Sequence, residues 1–209
     1  MKRPGIPPPA VKRLSMYLRQ LEQLSAAGAL KVSSQALAES LGLTAAQVRK
    51  DLGGFGQFGR SGVGYRVPTL IEQLRRILGT DKTWNVVVVG AGDLGRALLR
   101  YRGFLGRGFQ FVAAFDVAAG KVGRSVGPIP VHHIDHMPEI VRKYGVRLAV
   151  IAVPAESAQE IANSLWSAGV KGILNFAPIA LKSPPDAVAW PVDLAAHLEQ
   201  LSFLVGAAR

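Results

Sequence analysis

Three glycines, Gly90, Gly92 and Gly95, occur in the run Gly90-Ala91-Gly92-Asp93-Leu94-Gly95, between the apolar stretch Val86 to Val89 and the helical pattern Arg96-Ala97-Leu98-Leu99. Each spacing answers a geometric demand. Gly90 permits a tight turn out of a strand, Gly92 lets a diphosphate approach the backbone, and Gly95 lets the next helix pack close. The start of that helix offers unpaired N–H groups and a partial positive charge to the anion. Asp116 follows the strand pattern Phe109 to Phe115, 21 residues beyond Gly95. A carboxylate there accepts hydrogen bonds from ribose hydroxyls and repels a 2′-phosphate. Strand, glycine turn, helix and acid together point to a dinucleotide such as NAD, although Lys121 and Arg124 nearby blur the preference over NADP.

A second chemistry lies upstream. Thr44-Ala45-Ala46-Gln47 has capping-box spacing and opens a helix through Val48-Arg49-Lys50-Asp51-Leu52. A shorter pattern, Ser34 to Leu41, precedes it and ends at Gly42. Ala38 lets the two helices approach, Gly42 makes the turn and Val48 pins the pair, as in a helix-turn-helix; a structural helical hairpin would show the same pattern. Phe55 to Tyr65 reads FGQFGRSGVGY, a short hairpin with a basic tip at Arg60-Ser61-Gly62 and with Phe58, Val63 and Tyr65 around it.

The elements around these residues complete two domains. Before them, Val11, Leu14, Leu18, Leu21 and Leu24 recur at helical spacing after Pro7-Pro8-Pro9, and Gly28 stops the helix. After them, Pro68-Thr69-Leu70-Ile71-Glu72 gives another capping box, with a helix to Leu78 closed by Gly79. Three helices, a hairpin and a fourth helix make a winged-helix domain over residues 1–79. Residues 1–82 hold 13 Lys/Arg against 5 Asp/Glu, a net of +8, while 83–209 carry only +3. Such a local excess suits a polyanion partner, or more plainly a solubilising surface.

From Trp84 strands and helices alternate. Leu148 to Val153 and Ile173 to Phe176 read as strands, and Asp135 to Tyr144 and Ala155 to Ala168 as helices, giving an α/β fold: a Rossmann doubly wound parallel sheet over 84–192. His132, His133, Asp135 and His136 resemble a metal cluster on paper, but they fall in a Pro-flanked loop and at a helix start, so no metal is expected. His197 lies on the polar edge of the last helix, with no catalytic role expected. That helix, Asp193 to Gly206, carries Leu194, Leu198, Leu201 and Val205 on a wide apolar stripe. It must dock on its own sheet or into a second subunit.

The 209 residues include no cysteine, which excludes disulfides and thiolate-held zinc. At 49% hydrophobic and 19% charged residues, without an apolar run near the length of a membrane span and without a signal-peptide core in Met1 to Ala10, the sequence leads us to expect a soluble cytoplasmic protein.

Nearly the whole chain resembles the Rex redox-sensing transcriptional repressors: VRKDLGGFGQFGRSGVGY, VGAGDLG, FDVAAGKVG, GILNFAP and VDLAAHLEQLSF carry the likeness. The resemblance implies a homodimeric repressor that binds double-stranded palindromic operators of respiratory and fermentative genes when NADH is low. NADH binding would release it, and the C-terminal helix, 193–209, would be domain-swapped. It also implies DNA contacts at Ser33, Ser34, Thr44, Gln47, Arg49 and Lys50, and at the wing residues Gly59, Arg60, Ser61 and Gly62. For NADH and NAD it implies Gly90, Ala91, Gly92, Asp93, Leu94, Gly95, Asp116, Val117, Lys121, Val153, Pro154, Asn175, Ala177 and Pro178. Some members carry an Arg in the glycine loop that meets a Tyr and an Asp. The matching positions here are Asp93, Tyr101 and Asp193, so a Tyr101 to Asp193 hydrogen bond is expected to serve the switch. The competing readings are a small NAD-dependent reductase with a helical N-terminal extension, and a CoA-binding or purely structural Rossmann module.

Overall fold

The computed structural model describes residues 8–56, 58–60 and 64–206, and the chain divides into two compact units, Met1–Lys82 and Thr83–Arg209. The first unit runs α1 (Pro8–Ala26), β1 (Lys31–Val32), α2 (Ser34–Glu39), α3 (Ala45–Gly53), β2 (Gly59–Arg60), β3 (Gly64–Arg66) and α4 (Val67–Leu78). Leu14, Tyr17 and Leu21 of α1 meet Leu37, Val48, Leu52, Leu70 and Leu74 in one buried core. The hairpin gains a third strand that the sequence reading lacked: β1 pairs antiparallel with β3, giving the order β1-β3-β2. Residues 1–7, Val63 and the hairpin tip Ser61-Gly62 lie outside the described residues.

Two helix starts differ from expectation. Thr44 caps α3, its hydroxyl accepting from the Gln47 N–H at 3.1 Å, but the Gln47 side chain turns to Asp51 instead of back to the cap. At α4 the expected capping box does not form; the helix begins at Val67, and Arg66 makes no side-chain cap. The helix starts two residues before Thr69, which therefore lies inside its first turn, and the Glu72 carboxylate accepts from Arg76 instead of reaching back; the Val67 N–H donates to the Leu30 carbonyl at 3.0 Å.

The second unit runs β4 (Trp84–Val89), α5 (Asp93–Arg100), β5 (Phe109–Asp116), β6 (Ser125–Val126), β7 (Ile129–His133), α6 (Met137–Lys143), β8 (Leu148–Ile151), α7 (Ala155–Ser167), β9 (Gly172–Asn175), β10 (Val188–Pro191) and α8 (Leu194–Gly206). Its seven strands take the order β10-β9-β8-β4-β5-β7-β6, parallel except for the β6–β7 pair. Val87, Val89, Phe115 and Ile151 pack one sheet face with Met137 of α6 and Leu165 of α7. Val86, Val88, Phe111 and Ala114 pack the other with Leu99 of α5. Alternation along β4 thus feeds two cores, which explains its unbroken apolar run.

The sequence reading placed His132 and His133 in a loop; they stand on β7, which is short and carries Pro130. It also placed the helix start at Asp135, whereas Ile134–His136 form a 3-10 turn ahead of α6. The helix α8 does not dock on its own sheet. Leu198 is 67% exposed and Phe203 74%, and no residue of α8 is buried. Among the described residues, no helix is long and apolar enough to cross a membrane.

Candidate nucleotide and nucleic-acid sites

The chain leaves β4 through Gly90 at φ +98°, a left-handed conformation disfavoured for side-chain-bearing residues. A Cβ on Gly90 would stand 2.2 Å from the Ala152 carbonyl oxygen, and one on Gly95 would stand 1.9 Å from the Gly90 oxygen. Both glycines therefore let backbone pass backbone. Gly92 differs: it precedes α5 in extended conformation, and a Cβ there would meet nothing within 4 Å. Its open side is the room that a diphosphate needs at a helix start.

Asp116, at the end of β5, is wired to this turn. Its Oδ2 accepts the Ala91 N–H at 2.9 Å and the Lys121 ammonium at 2.9 Å, and its Oδ1 accepts the Ala118 N–H at 2.9 Å. Burial pushes the carboxyl up, but the Ala118 N–H, Lys121 and the Ala91 N–H outweigh it and hold Asp116 below the usual carboxylate range. It is thus an ionised acceptor at neutral pH.

A cavity of about 830 Å³ opens over the turn, lined by Gly90, Gly92, Asp116, Val117, Lys121, Val153 and Pro154 from the predicted set. Ala91 and Gly95 are buried behind it, and Asp93 and Leu94 begin α5. The sequence reading missed its α7 wall, Ser157, Glu160, Ile161 and Ser164. Their spacings of three, one and three residues mark one helix face, which was legible.

Asn175, Ala177 and Pro178 are not part of that lining. The Asn175 side chain donates to the Ala177 and Ile179 carbonyls at 3.2 and 2.8 Å and accepts the Ala177 N–H at 3.0 Å. Its amide folds the loop that carries Ala177 and Pro178. Tyr101 is 61% exposed and stacks edge-on against Phe104. Asp193 instead accepts the Ala196 N–H at 3.0 Å at the start of α8, so the expected Tyr101 to Asp193 bond is not among the described contacts of one chain. His133 Nδ1 lies 3.0 Å from the Asp135 carboxylate and accepts the Asp135 N–H at 3.4 Å.

In the first unit, Ser33 and Thr44 are the caps of α2 and α3, and Arg49 donates to the Ser34 hydroxyl at 3.1 Å. Lys50 is exposed on α3, and Gly59 and Arg60 form β2. Behind α3, Asp51 accepts Arg13 Nε and Nη2 at 2.5 and 2.8 Å, the Tyr17 hydroxyl at 2.7 Å and the Gln47 amide at 2.7 Å. Arg13 and Tyr17 lie 38 and 34 residues from Asp51, too far for local spacing to signal the cluster. The Arg13 hydrogen bonds chiefly, against the cost of burial and with Tyr17 and Gln47 added, hold the Asp51 carboxyl below its usual range.

A lowered folded-state pKa contributes stability above the unfolded value and loses it as pH falls through the folded value. Asp51→Asn is therefore expected to destabilise the protein by about 2 kcal/mol. That deficit should hold from about pH 8 to 5 and shrink below about pH 4, the ordinary carboxylate range. Urea titrations of both proteins across this range check it; a deficit that grows on acidification contradicts the ionised network.

These sites define a class: a winged-helix-like unit joined to a Rossmann-type unit with a dinucleotide turn. The comparisons with known proteins agree. A family model described as the CoA binding domain matches residues 81–179, and one described as a putative DNA-binding protein N-terminus matches 5–53. The chain is 49% identical over 203 residues to the redox-sensing transcriptional repressor Rex of Carboxydothermus hydrogenoformans, covering 97% of this chain and 98% of that protein. It is 44% identical to the Rex of Desulfitobacterium hafniense over the full length of both. A crystal structure of RSP in complex with β-NAD+ and operator DNA superposes with a TM-score of 0.93 at 34% identity, covering 99% of this chain and 95% of that one. RSP in complex with β-NADH gives 0.88 at 32% identity, covering 99% and 97%. The chain belongs to the Rex family of redox-sensing transcriptional repressors.

Proposed function

We propose that this chain is a homodimeric repressor that holds palindromic operator DNA when NADH is scarce and releases it when NADH occupies the second unit. The observation that carries the reading is the open backbone at Gly92, tied through Ala91 to the ionised Asp116, in a chain that also carries a capped helix-turn-helix. The residues fit a dinucleotide: the 90–92 turn for the diphosphate, Asp116 for the ribose, and Val153 and Pro154 along the cavity wall. When bound, the dinucleotide supplies a nicotinamide whose oxidation state distinguishes the two ligand forms. The chain responds only if its DNA-holding and DNA-free arrangements differ in affinity for the reduced form, and operator DNA must then weaken NADH binding by the same factor.

The function proposed is sensing, without turnover. Relatives spanning the full chain are named repressors, which supports this over a small reductase. The apolar α8, uncovered in its own chain, supports a swapped dimer, in which Tyr101 of one chain and Asp193 of the other come within reach for the switch. The test is retention of a fragment pool from the source genome at fixed salt, with no nucleotide, with NADH and with NAD+. Palindrome-bearing fragments lost with NADH and kept with NAD+ are expected. Retention indifferent to nucleotide, or steady NADH consumption with a carbonyl substrate, overturns the reading.

A further inference from the structure

We propose that Asp51, buried behind α3, is a positioning residue for base reading: it fixes the orientation of the Gln47 amide on α3 before DNA arrives. The inference rests on the DNA-binding reading above. Gln47 is the third residue of α3, in the N-terminal part of the helix from which helix-turn-helix proteins reach base edges. A glutamine reads adenine with both ends of its amide, accepting from N6 and donating to N7. A side chain free to flip presents either end and discriminates less.

Asp51 removes that freedom. It lies one turn after Gln47, is 7% exposed, and is ionised. An ionised carboxylate only accepts, so the nitrogen end of Gln47 must face it, as the 2.7 Å contact shows. One N–H and the carbonyl oxygen of the amide are left for a base. The carboxylate cannot turn in its turn: Arg13 grips both oxygens, and the Tyr17 hydroxyl takes Oδ2 from a fully buried ring. With Gln47, four donors fill the roughly four acceptor positions of a carboxylate. The chain therefore runs from α1 through Asp51 to Gln47.

Asparagine at this position both donates and accepts, so it tolerates either flip of Gln47. The experiment uses the full-length protein and the palindromic fragment that wild type retains. Affinities are measured for that fragment, for each single-base-pair substitution of it, and for a scrambled duplex of equal length. Asp51→Asn, Gln47→Ala and the double variant are compared. Asp51→Asn should relax discrimination by about tenfold at the same base pairs as Gln47→Ala, with scrambled-duplex affinity within about twofold of wild type and no further loss in the double variant. In parallel, side-chain amide relaxation of Gln47 in the DNA-free wild type should show a rigid group; this readout stands even if Asp51→Asn does not fold. A common loss on every duplex, an unchanged profile, or a Gln47 amide that is mobile overturns the proposal. If wild type retains no fragment, the repressor reading falls and takes this proposal with it; if wild type discriminates and the variant does so equally, only the proposal falls.

Discussion

Gly92→Ala should keep the fold and lose the response to NADH. At φ −75° and ψ −168° the backbone suits alanine as well as glycine, and a Cβ there touches nothing within 4 Å. The folded chain therefore has no reason to resist the change, and its melting temperature should match wild type. The methyl instead enters the space over the α5 start that a diphosphate needs. NADH affinity should drop at least tenfold, about 1.4 kcal/mol, measured by titration of NADH fluorescence. Operator retention should then become blind to NADH. Gly95→Ala is the contrast: its Cβ would sit 1.9 Å from the Gly90 oxygen, so stability and binding should fail together. A Gly92→Ala protein that binds NADH like wild type would show that no diphosphate passes over this turn.

How much of this could be read beforehand follows from which features are local. Gly90, Gly92 and Gly95 were legible because strand, turn and helix impose their demands within ten residues of one another. Val86 to Val89 was legible because a strand buried on both faces needs an unbroken apolar run. β10 was not. It is an edge strand of four residues ending in Pro191, and its pairing with β9 comes from the sheet rather than from its own pattern. Partners 34 or 38 residues apart, such as Tyr17 and Arg13 on Asp51, leave no periodic signal either. Gln47 shows the consequence: its spacing from Thr44 announced a capping box, and a carboxylate one turn on took the amide instead. The loop closure at Asn175 is equally silent, since nothing in GILNFAP says that the amide bonds the Ile179 carbonyl.

Replacing both Leu198 and Leu201 by glutamate should turn a dimer into a monomer with little operator affinity. In the single chain these side chains are 67% and 57% exposed, as are Leu194 at 60% and Leu204 at 63%. Charges at 198 and 201 therefore cost the folded chain almost nothing, and its melting should not fall for want of intrachain contacts. In a swapped dimer the same side chains would be covered, each stabilising association by about 1.5–3 kcal/mol, and buried glutamates would forfeit that and add a desolvation cost. A two-fold operator needs two recognition helices held together, so a monomer meets only half a site. Sedimentation should give the dimer mass for wild type and half of it for the variant, with operator affinity down by about a hundredfold or more at equal salt. NADH binding should survive if the cavity over Gly92 belongs to one chain, because none of its lining residues lies on α8. A variant that stays dimeric places the interface elsewhere and leaves the exposed stripe of α8 to another partner. One that becomes monomeric yet still binds the palindrome tightly breaks the link between two-fold symmetry and recognition.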